Sequence, residues 1–164
     1  MTHQDNAELC CASMKRLPER LALRGLRGWL AGYESGDIRC WETVWNEHAT
    51  ALGVHRAKQV VTELSRLVHV LRSAPPHPAR FRPPSCHTLC TDERLALALV
   101  PACQAEARAA TEAAARELAG PKRAKTLIHK GRGYAAVLTA HDLRLTAFNT
   151  LMRDLASGEA HRLN

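Results

Sequence analysis

Aromatic residues are scarce in this chain: three tryptophans, two tyrosines and two phenylalanines, 4% of 164 residues. Large rings therefore cannot carry the core, and single-strand nucleic-acid binding by base stacking has few side chains to work with. Long apolar runs are missing as well. The longest, Leu95 to Cys103, falls far short of the roughly 20 residues a membrane-spanning helix needs, so no membrane insertion is expected. The opening residues carry Asp5 and Glu8 and no apolar stretch behind a basic start, which is not the make-up of a secretory signal. A cytoplasmic location follows as the expectation. The six cysteines then read as reduced thiols, packing residues or metal ligands rather than a disulfide framework.

Catalytic signatures are also absent. The chain contains no P-loop, no dinucleotide-binding glycine fingerprint and no Gly-x-Ser-x-Gly elbow. It has no His-x-x-x-His or Glu-x-x-His pair of the kind that holds metals on one helix. Asp37, Glu42 and Glu47 form the only acidic cluster near the tryptophans, and their spacing suits partners for nearby arginines. The balance leans against an enzyme.

What the chain does have is alanine, leucine, arginine and glutamate within a hydrophobic content of 46%. These residues lose little side-chain freedom in a helix. Strand alternation with hairpin turns is not seen. The expectation is an all-α, single-domain bundle of five to six helices spanning 17–157. A polar segment (1–16), a proline-rich connector (73–85) and a short tail (158–164) complete the chain.

Periodicity places a first helix over Leu17 to Glu34 and a second over about Asp37 to Leu52. The second carries Ile38, Trp41, Trp45 and Leu52 on one side, with His48 as a half-buried member of that stripe. Val54 to Arg72 follows the i, i+3, i+4, i+7 rhythm through Ala57, Val60, Val61, Leu64, Leu67, Val68 and Leu71. After the connector, Thr91 reads as an N-cap for a helix running to about Ala119, kinked at Pro101 and stopped by Gly120-Pro121. Lys122 to Gly133 then reads as a glycine-flanked basic contact loop. A last helix is expected from Ala140 to Ala156, with Thr139 and Asp142 as a capping box and Leu145, Phe148, Met152 and Leu155 buried.

Cys86-His87-Thr88-Leu89-Cys90 is the densest chemical cluster. Thiolate and imidazole are the ligands zinc or another thiolate-bound metal prefers, so Cys86, His87 and Cys90 are candidate metal ligands. The same residues can be read as a redox pair. Cys90 stands ahead of a helix N-terminus and near Arg80, Arg82 and Arg94, which favours a thiolate, with Cys86 as resolving partner. Against both stands ordinary packing, since free cysteine is often buried; Cys10, Cys11, Cys40 and Cys103 fit that description better.

The formal charge is +7. Two basic features are candidates for partner binding: a helical stripe of Arg16, Arg20, Arg24 and Arg27, and the segment of Lys122, Arg123, Lys125, Lys130 and Arg132, with no acid between Glu117 and Asp142. The first expectation is a non-enzymatic accessory or regulatory protein that docks on a larger, acidic protein partner. A thiol-based metal-binding or redox-responsive protein is the alternative, and a nucleic-acid-binding regulator a weaker one.

Overall fold

The α1 helix, Leu17–Ser35, opens on Pro18, whose missing N–H costs nothing in a first turn. It ends where Gly36 takes a φ of 68° and returns its N–H to the Gly32 carbonyl. Asp37 immediately caps α2, Ile38–Leu52, by accepting a hydrogen bond from the Arg39 N–H. Gly53 then separates α2 from α3, Val54–Ser73. Links this short force α1 and α2 together as a hairpin, and glycine sets how close they come. A Cβ at Gly28 would lie 2.5 Å from Val44 Cγ2, and one at Gly32 would lie 2.3 Å from Trp41 Nε1.

The structure, a computed structural model, describes residues 15–73 and 79–147. Five helices and no strand occur among the described residues, which is the all-α bundle expected. All seven apolar positions of the α3 rhythm are buried. At roughly 1.5–3 kcal/mol for each fully buried Val or Leu, that face supplies much of the drive to fold. The α3 helix packs against α1, α2 and α5 and is the centre of the bundle. No helix among the described residues is long and apolar enough to cross a membrane.

The second half departs from the sequence-based expectation. The α4 helix is Thr91–Gln104, capped by Cys90 rather than Thr91. Pro101 is accommodated inside it, and the chain breaks at Ala105 to Ala107, with Glu106 at a φ of 54°. The α5 helix, Arg108–Ala140, is two limbs joined at Gly120, whose φ of 74° and ψ of 165° are non-helical. Pro121 does not stop the chain. It opens the second limb, where its fixed φ is already helical.

Lys122 to Gly133 is therefore helix, not loop. Ala124, Leu127, Gly131, Tyr134, Ala135 and Leu138 form its buried face. Gly131 is a packing residue: a Cβ there would lie 3.3 Å from Leu99 Cδ2 of α4.

The helix expected from Ala140 does not begin there. The chain leaves α5 at His141, Asp142 adopts a φ of 59°, and residues 143–147 are non-helical. Leu143 and Leu145 are still buried. Gln104 holds this segment from both sides of its amide, donating to the Leu143 carbonyl (2.8 Å) and accepting from the Leu145 N–H (2.9 Å). Phe148, Met152, Leu155, Cys10, Cys11, the tail and connector residues 74–78 lie outside the described residues.

Candidate functional site

Arg27 is not on the surface. On α1 it faces inward and is 1% exposed, and its partner is Glu93, the third residue of α4. Arg27 Nε donates to Glu93 Oε1 (2.6 Å) and a terminal nitrogen donates to Oε2 (3.0 Å). Two further N–H groups reach the carbonyls of Cys86 (2.7 Å) and Thr88 (2.8 Å). The carboxylate in turn accepts the N–H of Arg82 (2.8 Å) and of Cys90 (3.0 Å). Both side chains are fully buried. One ion pair thus ties the loop of Arg82 to Cys90 to α1 and to the start of α4. These hydrogen bonds are what make a buried charge pair tolerable.

The two thiols of that loop differ in the opposite sense from the expectation. Cys90 sits at the N-cap, but burial pushes its pKa up and the Glu93 and Asp92 carboxylates add to this against the helix N–H groups. Its Sγ donates to the Arg80 carbonyl at 3.0 Å, as a protonated thiol does. Cys86 is the thiol pushed down, first by the Thr88 hydroxyl 3.3 Å away, then by the Thr88 main chain, with Arg82 and Arg27 adding positive potential. His87 is exposed. Cys86 and Cys90 form no disulfide with each other. Among the described residues, no group of three or more His, Cys, Asp or Glu side chains is placed to hold a metal ion. Cys86 and Cys90 are both free, half-buried thiols.

The remaining α1 arginines do not form one free stripe either. Arg16 pairs with Glu19 (2.9 Å), donates to the Thr146 hydroxyl and reaches the Arg144 carbonyl (3.3 Å). Glu19 also accepts the Thr146 N–H at 2.6 Å, so this corner clasps residues 144–146 to the start of α1. Arg24 lies 3.4 Å from Glu47. Arg20 and Arg24 flank an open depression of about 460 Å³ between α1 and α2, shared with Asn46, Glu47 and Thr50.

The second limb of α5 keeps its charge outward. Lys122, Lys125 and Arg132 are exposed, and Arg123 and Lys130 are half-buried at the edges. None of the five forms an ion pair among the described residues. Exposed His129 lies between Lys125 and Arg132 on the same face. Packing against α3 and α4 holds this row on a fixed backbone, so its spacing is preorganised.

Two buried polar residues escape a sequence reading. Glu93 looks like a helix-start acid, and only the tertiary approach of α1 makes it a charge partner. His48 is fully buried rather than half-buried. Its Nδ1 is 2.8 Å from the Val44 carbonyl, which can only accept, so Nδ1 carries the proton. Nε2 has no partner among the described residues, and burial pushes the imidazole pKa down. Gly25 opposite is the one available signal: a Cβ there would lie 3.2 Å from His48 Cε1. Compared with known proteins, the chain matches no family model, no curated protein and no solved structure.

Proposed function

We propose that this chain is a non-enzymatic helical accessory or regulatory protein that docks on a larger, acidic protein partner through the second limb of α5. One observation carries the reading. Lys122, Arg123, Lys125, Lys130 and Arg132 occupy a single helix with no acid between Glu117 and Asp142 and no ion-pair partner among the described residues. A solvated basic face normally intersperses both signs to avoid self-repulsion. Concentrating one sign on a rigid helix raises the potential there and steers an anionic partner. The α1 arginines contribute less, because Arg16 and Arg24 already have internal carboxylates and Arg27 is buried.

A protein partner is favoured over nucleic acid. The aromatic side chains among the described residues are buried or half-buried, leaving no exposed ring for bases to stack on. A cytoplasmic setting suits the reading, since the four described cysteines are free thiols. A second, thiol-responsive role rests on Cys86, whose lowered pKa gives it more thiolate than an ordinary cysteine.

The test is a pull-down from native extract with the full chain and with Lys122→Glu, Lys125→Glu, Arg132→Glu combined. Arg56→Glu, at an exposed position of α3 outside both basic features, serves as a surface control, and circular dichroism confirms that both variants are folded. The reading expects the triple variant to lose its partner while the control retains it. An unchanged partner set would refute it.

A further inference from the structure

The exposed positions of the second α5 limb are not scattered. Lys122, Lys125, His129, Arg132 and Ala136 are all exposed and recur at intervals of three and four, while Leu127, Gly131, Tyr134 and Leu138 face inward. At about 1.5 Å of rise per residue, the four polar positions stand near 0, 4.5, 10.5 and 15 Å along one line. Resting on the docking reading above, we infer that the partner presents an α-helix. Its carboxylates recur every three and four residues and it lies along the Lys122 to Arg132 row.

Two spacings decide between a helix and an extended acidic segment. An extended chain advances about 3.3 Å per residue and alternates faces, so its same-side carboxylates fall near 0, 6.6 and 13 Å. That is three acids against four polar positions, with offsets of about 2–3 Å at the interior ones. Lysine and arginine can stretch to meet such offsets only by giving up rotamer freedom. A second helix has the same three-and-four interval as the row itself. It can place one carboxylate opposite each of Lys122, Lys125, His129 and Arg132 with every side chain in an ordinary rotamer.

The experiment measures binding of the full chain to four fluorescent probes at low ionic strength. The first is an alanine-based helical peptide with four glutamates at the 3-4-3 interval on one face. The second has the same composition with the glutamates distributed around the helix. The third is a proline-interrupted peptide of equal charge, and the fourth a 20-base-pair DNA duplex. We expect the one-face peptide to bind at least tenfold more tightly than either of the other two peptides, and K125E with R132E to abolish that difference. Equal binding of the three peptides would overturn the helix inference and leave acidic docking standing. Binding to no probe would overturn both, and tighter binding to the duplex than to any peptide would overturn both in favour of a nucleic acid.

Discussion

Removing one partner of the Arg27–Glu93 pair strands a charge with no water to receive it. Glu93→Leu leaves a guanidinium buried at 1% exposure. Arg27→Met leaves a carboxylate whose remaining donors are two main-chain N–H groups, those of Arg82 and Cys90. Breaking a buried pair from one side costs about 3–5 kcal/mol, against a whole-domain stability of roughly 5–15 kcal/mol. Taking both out together removes the charge problem and leaves lost hydrogen bonds to the loop at Arg82, Cys86, Thr88 and Cys90, which water can replace if the loop lifts. The double variant should therefore cost about as much as either single one, giving a coupling of several kcal/mol between the two sites. Urea unfolding followed by tryptophan fluorescence reads this directly. With a slope of about 2 kcal/mol per molar urea, a loss of about 4 kcal/mol moves the midpoint down by about 2 M. Amide exchange at Arg82 and Cys90 should accelerate in all three variants. A single-variant cost below about 1 kcal/mol, or strict additivity, would show that this pair does not pin the loop.

Three further outcomes follow from the same structure. His48 has a folded pKa below its ordinary value near 6.5, so the unfolded chain binds the proton first; its contribution is whole above that value and is lost as pH falls through the depressed folded one. Stability compared at pH 7.5 and pH 5.5 should show this loss, and His48→Leu should flatten it; an unchanged slope would refute the assignment. Cys86 should react with iodoacetamide before Cys90 and Cys103, whose pKa values burial raises, and Thr88→Val should slow it by removing the hydroxyl; mass spectrometry showing Cys90 modified first would contradict this. Gly32→Ala, a change that stabilises an open helix by roughly 0.5–1 kcal/mol, should instead destabilise by about 1–3 kcal/mol, because its Cβ meets Trp41 at 2.3 Å; a raised melting temperature would refute the close approach.

The helices whose apolar positions recur without interruption were legible in the sequence. The α3 helix, Val54–Ser73, falls one residue from its expected end, and the α1 and α2 boundaries lie where Pro18, Gly36, Asp37 and Gly53 put them. Local rules suffice there, because each end is signalled by one residue's backbone preference or cap. Glycine and proline misled in the second half for a different reason. Gly131 and Gly120-Pro121 carry the same letters whether they break a helix, start one or admit a neighbour, and that choice belongs to the packing of α4 against α5.

Composition and period alone determined that this chain is an all-helical bundle, and the sequence by itself showed two runs of basic residues along it. Only the tertiary structure decided which charges remain outward. Arg20, Arg24 and Arg27 sit within two turns of one helix, yet one lines an open depression, one bridges to Glu47 and one is enclosed with Glu93. Helical spacing places side chains on a face but says nothing of what that face meets. A cation's free energy depends on the water and carboxylates around it, and these are set by the other helices.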